Sequence, residues 1–126
     1  SLNNVEFLPP SPYVELLNRL NLADISLGIF GSTSKSQRVI PNKVFDALAL
    51  GKPCITQDSP AIREILKNGE NCILTKPHDE FDLASKIKLL MSDARLRDKI
   101  GKEGQALFFE KFIPQKVVAP ILNILK

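Results

Sequence analysis

Asp46 is the lone carboxylate in the stretch Val39 to Thr56, VIPNKVFDALALGKPCIT, and lies five residues after a proline. Pro41 suits a first helical position, because the N–H it lacks would have no intrahelical partner there. Gly51 stands where a left-handed residue would end the helix, and Pro53 to Thr56 then reads as a short buried strand. The unpaired N–H groups of such a helix start favour an anion. Residues Ile40, Pro41, Asn42, Lys43 and Val44 are thus a candidate phosphate-facing segment, in which backbone donors act whatever the side chains. Lys43 could add a point charge for phosphate, although a lone helical lysine is commonly a solvated surface group. Asp46 has two readings as well: a hydrogen-bond acceptor for a bound group, or a solvated residue paired with Lys43 three positions earlier.

Ser32, Thr33 and Ser34 follow a β-rich run, Ile25 to Phe30. They would lie at a strand's carboxyl end, where α/β sheets place ligands. Their hydroxyls could contact a ligand, and flexible loop filler is the equal alternative. His78 adjoins Pro77 in an expected turn. Cys54 and Cys72 fall inside predicted strands and form no C-x-x-C pair, so buried thiols are the default reading. One histidine and two distant cysteines make a zinc site improbable.

The elements that must position these residues alternate. Val5 to Leu8 is a short apolar run ended by Pro9-Pro10, read as a strand. Ser11-Pro12 offers an N-cap and a first-turn proline. Tyr13, Leu16, Leu17 and Leu20 follow at i, i+3, i+4 and i+7, an amphipathic helix. Ile25 to Phe30 reads as a strand buried on both faces. After the Pro41 helix and the Pro53 strand, Ser59-Pro60 starts a helix through Ile62, Ile65 and Leu66 that should end near Asn68-Gly69. Cys72 to Thr75 is a fourth strand. Asp79 caps a helix carrying Leu83, Ile87 and Leu90, which breaks near Ser92-Asp93. A second helix carries Leu96, Ile100 and Leu107, and a last apolar segment, Gln115 to Leu125, should be kinked or divided at Pro120. Strands alternating with helices argue a Rossmann-like parallel sheet of about four strands, flanked by helices joined through right-handed crossovers.

At 126 residues the chain is one domain, 1–126, large enough for a core but small for an enzyme that closes two domains around a substrate. No apolar run approaches bilayer length and no signal-peptide pattern opens the chain. The net charge of +3 fits an anionic ligand or weak attraction to anionic lipid. No basic stripe interleaved with aromatics supports nucleic-acid binding.

The run P-x-K-V-F-D-A-L-A-x-G-K-P resembles the signature E-G-x-P-x-x-x-x-E-A-M-A-x-G-x-P-V of retaining glycosyltransferases with the GT-B fold (glycosyltransferase group one, or family four). The likeness extends upstream to Ala23–Leu27 and downstream to Glu64-Ile65, Asn68-Gly69 and the run from Asp82 to Arg97. It implies the carboxyl-terminal, donor-binding part of an enzyme that moves a sugar from a nucleoside-diphosphate sugar to a glycan or lipid-linked acceptor. Asp46 would then accept from the ribose hydroxyls, since a carboxylate offers acceptor sites on both oxygens. Ser32, Ser34 and Arg38 would face the donor. Arg38 departs from the pattern, because it stands where the family's first acid contacts the donor sugar, and an arginine cannot accept a hydrogen bond. It could touch a phosphate or an acidic sugar instead, or be an exposed loop arginine.

The resemblance further implies no cofactor and no metal, with the nucleotide sugar as donor substrate. The family's catalytic histidine, its basic diphosphate clamp and its amino-terminal acceptor domain match nothing in this chain. The catalytic residues are therefore unknown, and the fragment is expected to be inactive alone. A partial GT-B nucleotide-binding domain leaves the Val5 strand either paired with the Ile25 strand or at an open edge, and an open edge invites pairing with a second copy. Hexosyl transfer in polysaccharide biosynthesis is the implied setting; the lack of an export signal points to the cytoplasm, with peripheral attachment of the parent protein at the inner membrane face left open. The rival reading is a degenerate, non-catalytic binding or assembly domain, supported by Arg38.

Overall fold

The computed structural model describes residues 2–125. Three parallel strands form one sheet in the order β1 (Ser26–Leu27), β2 (Cys54–Gln57), β3 (Ile73–Thr75). Ser26 pairs with Cys54 and Leu27 with Ile55; Ile55, Thr56 and Gln57 pair with Ile73, Leu74 and Thr75. The helices are α1 (Tyr13–Leu22), α2 (Asn42–Ala49), α3 (Pro60–Arg63), α4 (Glu80–Ser92), α5 (Ala94–Lys111) and α6 (Pro114–Leu125), of which α2 packs on one face of the sheet and α4 and α5 on the other.

Alternation along β2 and β3 divides the core, because successive strand residues point to opposite faces. Cys54 and Cys72 pack with Val44, Ala47 and Leu48 of α2 and with Ile62 and Leu66 on one face. Ile55 and Ile73 pack with Leu90 of α4 and Ile100 of α5 on the other. All four residues of β2 are buried, as expected for a strand covered on both sides.

Residues 5–8 form no strand, so the sheet has three strands where four were expected. Val5, Phe7 and Leu8 are exposed, Phe7 by 94%. An extended segment gains strand status only from a ladder partner, and the segment has none among the described residues. β1 is correspondingly an edge. Its backbone pairing with β2 continues beyond Leu27, through Gly28 N–H to the Ile55 carbonyl at 2.8 Å and Gln57 N–H to the Ile29 carbonyl at 3.1 Å. Leu27 and Phe30 are nevertheless exposed, so this strand is not buried on both faces.

Helix boundaries follow local chemistry, with four departures. Pro12, not Ser11, occupies the N-cap of α1, and no side chain caps that helix. Pro41 is the N-cap residue of α2 and Asn42 its first helical residue. The helix starting at Pro60 stops at Arg63, leaving Ile65 and Leu66 to a following turn. Finally, α6 runs through Pro120 undivided. The caps at Ser59 and Asp79 hold: their side chains accept from Ile62 N–H at 3.2 Å and from Asp82 N–H at 2.8 Å. Asp93 caps α5 in the same way, accepting from Leu96 N–H at 2.9 Å.

Candidate functional site

Two buried polar residues at the carboxyl end of β2 hold the segment that follows β1. Thr56 Oγ1 accepts from Ile29 N–H at 3.2 Å, and Gln57 Nε2 donates to the Gly31 carbonyl at 2.9 Å. Gly28 makes the first contact feasible, since a Cβ there would lie 2.4 Å from Thr56 Oγ1. Beyond Gly31 the chain folds into consecutive turns rather than a loose loop. Buried Ser36 donates through its hydroxyl to the Thr33 carbonyl at 2.6 Å. Gln37 in turn accepts from Ala61 N–H at 3.4 Å, tying the loop to the start of α3. Thr56, Gln57 and Ser36 were not singled out from sequence; polar residues closing an apolar strand were the available signal.

The structure brings Arg38 and Ser34 together. The guanidinium donates to the Ser34 carbonyl at 3.2 Å and to its hydroxyl at 3.3 Å. Ser32, Thr33, Ser34 and Arg38 are all exposed, so this turn presents hydroxyls and one cation to solvent.

The start of α2 is narrower as a donor site than the sequence suggested. Val44 N–H donates to the Pro41 carbonyl at 3.0 Å, and the Val44 side chain lies fully in the core. Pro41 has no N–H. Asn42 and Lys43 therefore supply the outward N–H groups of this helix start, which lacks a side-chain cap. Both residues are exposed.

At its other end α2 is firmly terminated. Gly51 adopts φ +69°. Its N–H donates to the Leu48 carbonyl at 3.0 Å, and Lys52 N–H donates to the Ala47 carbonyl at 2.9 Å. This is the left-handed helix end expected at a glycine. α5 then clamps the helix. Gln105 Nε2 donates to the Ala49 carbonyl at 3.1 Å, and Phe45 meets Phe112 edge to face at 5.3 Å between ring centroids. Gly101 and Gly104 permit the approach, since Cβ atoms there would lie 2.3 Å from the Gly51 carbonyl oxygen and 2.8 Å from Leu48.

Asp46, one turn into α2, is half-buried, and its hydrogen-bond partner is Tyr13, not Lys43. The phenol hydroxyl at the start of α1 donates to Asp46 Oδ1. That hydrogen bond, followed by desolvation and the carboxylate charge, pushes the Tyr13 pKa upward. The remaining acceptor positions of Asp46, chiefly on Oδ2, are left for another group.

Other ionisable groups are structural. Arg63 donates to Asp58 through both Nε (2.7 Å) and its terminal nitrogen, which holds the Asp58 carboxyl below its usual range. Burial pushes the thiols of Cys54 and Cys72 up to about 12, so both stay protonated. A cleft of about 470 Å³ opens beside Arg63, Lys76, Asp82 and Lys86, away from α2. Its charges are largely spent on one another, as in the Lys86–Asp82 pair. His78 sits in the expected turn, at φ 56°, and is exposed.

The family model for glycosyl transferases group 1 matches residues 1–107. The EpsD protein of Bacillus subtilis (strain 168) is 31% identical over 86 residues, which are 68% of this chain and 21% of that protein. Among solved structures, the C-terminal domain of a glycosyl transferase group 1 family protein (LpcC) from Francisella tularensis aligns with a TM-score of 0.67 at 24% identity, over 88% of this chain and 53% of that one. Anabaena HepE, solved in complex with UDP-glucose, aligns with a TM-score of 0.74 at 21% identity, over 85% of this chain and 28% of that one. The chain thus spans about a fifth of EpsD and just over a quarter of HepE. Similarity at these identities establishes a shared fold, and the family match over most of the chain establishes kinship: the chain belongs to the group 1 glycosyl transferases.

Proposed function

We propose that this chain is the donor-binding, carboxyl-terminal part of a longer glycosyltransferase that takes its sugar from a nucleoside-diphosphate sugar. The observation that carries the reading is Asp46, a carboxylate with acceptor capacity to spare beside the uncapped start of α2, at the position to which the resemblance assigns ribose binding. In this assignment Asp46 accepts from the ribose. Asn42 and Lys43 N–H, with the Lys43 ammonium, face the diphosphate, and Pro41 and Val44 shape that helix start. Ser32, Ser34 and Arg38 form the sugar side. The binding of UDP-glucose by HepE supports this class of ligand. Retention of configuration and transfer of a hexose are part of the proposal, as is a cytoplasmic enzyme peripheral at the inner membrane face. No helix among the described residues is long and apolar enough to cross a membrane.

The test is calorimetric titration of the full-length protein with UDP and GDP, wild type beside Asp46→Ala. Loss of a charge-assisted hydrogen bond should weaken binding about ten-fold or more. Lack of binding by the wild type would instead favour a degenerate, non-catalytic domain, the reading that Arg38 in place of an acid supports.

The free edge of β1 and the apolar residues Val5, Phe7, Leu8 and Leu16 mark, in this proposal, where the remainder of the longer protein packs. Produced alone, the chain should pair through that edge with a second copy and lack transferase activity. Sedimentation equilibrium showing only monomer at tens of micromolar would count against the pairing.

A further inference from the structure

Tyr13 and Asp46 lie 33 residues apart in sequence, on different helices, and meet through a single hydrogen bond. The bond does not serve burial. Tyr13 is 57% exposed, and no residue of α1 is buried. Packing therefore gives no reason for an aromatic at this position, while the ring is left with an open face beside the one carboxylate of α2. A phenol donating to one oxygen restricts the rotation of a carboxylate that would otherwise sample several orientations, and leaves acceptor sites for vicinal hydroxyls. An exposed aromatic face next to such an acceptor suits a nucleoside, because base–aromatic stacking is favourable for any base and the carboxylate takes the ribose.

We propose that Tyr13 is a positioning and nucleoside-binding residue of the donor site: its hydroxyl fixes Asp46 for the ribose, and its ring is the platform on which the base rests. This inference rests on the reading of Asp46 above and adds a nucleoside-recognising partner from α1. The hydroxyl and the ring act separately, so they can be removed separately.

The experiment titrates UDP and inorganic pyrophosphate into the full-length protein and its Tyr13→Phe, Tyr13→Ala and Asp46→Ala variants, with displacement calorimetry for the weaker ligand. Tyr13→Phe should weaken UDP about three-fold, since only the orientation of Asp46 is lost. Tyr13→Ala should weaken it about ten-fold or more, since stacking is lost as well. Pyrophosphate affinity should stay within about two-fold of wild type in both, because the diphosphate is held elsewhere. A parallel fall in pyrophosphate and UDP affinity would show that Tyr13 merely docks α1 on α2, and would overturn the proposal. Unchanged UDP binding in both Tyr13 variants, with Asp46→Ala still impaired, would overturn it too while sparing the donor-site reading. If Asp46→Ala also binds UDP normally, both readings fall together.

Discussion

Gly28 shows how a single residue sets the site. It lies where β1 passes Thr56, and a methyl group there would lie 2.5 Å from Thr56 Cβ as well as closer still to its hydroxyl. Thr56 is fully buried and cannot move aside without giving up its bonds to Ile29. Gly28→Ala should therefore destabilise the protein by about 1–3 kcal/mol, the range for an extra methyl in a packed interior. Urea unfolding monitored by circular dichroism would read this directly, and an unchanged midpoint would mean the sheet relaxes freely. Asp46 illustrates the opposite limit of legibility. Its position in the helix was readable from Pro41 and Gly51. Its partner was not, because Lys43 competes in sequence while Tyr13 wins in space.

At the level of elements, α2 with its N-cap Pro41 carries five of the eight candidate donor residues, and its two ends are fixed by different means. Its start is a proline and a turn of backbone with no side-chain cap. Its end is Gly51 in the left-handed region, with Gln105 just 3.3 Å from where a Cβ would sit. Gly51→Ala should cost about 1–2 kcal/mol, from the left-handed backbone alone. The loss should appear in thermal unfolding more than in UDP affinity, because Asp46 lies more than a turn away from that end. A variant that binds ten-fold less UDP at full stability would show that the helix end reaches the site. Ser59 and Asp79 were legible as helix starts because capping is a contact within three residues, whereas Asp93, legible only as a break, proves to cap α5. The stop of α3 at Arg63 was not, because Asn68-Gly69 marks the end of the turn that follows and not of the helix.

At the scale of the whole molecule, the two buried thiols give a global readout. In the folded state their pKa is pushed up to about 12, whereas unfolded cysteine ionises at about 8.5. The sign follows from linkage. A raised folded pKa contributes stability that is fully present below the unfolded value and lost as pH rises from there towards the folded one. Urea midpoints should fall between about pH 8.5 and the onset of general alkaline unfolding. A Cys54→Ala, Cys72→Ala double variant should lose part of that slope. Thiol-specific reagents should label neither cysteine until the chain unfolds, and rapid labelling of native protein would contradict the burial of both.

The alternation of strands and helices, the capping of α3 and α4, the left-handed end of α2, the burial of β2 and the family could all be read from the order of the residues. Each of these depends on residues near one another in the chain or on a pattern that a neighbour's identity cannot change. That Val5 to Leu8 stays unpaired, that Val44 N–H turns back to Pro41, and that Tyr13 rather than Lys43 takes Asp46 follow from the folded packing alone. A strand exists only if another backbone lies about 5 Å away to accept its hydrogen bonds. A carboxylate's partner likewise depends on which donor the fold brings within reach, and neither distance is written in the order of the residues.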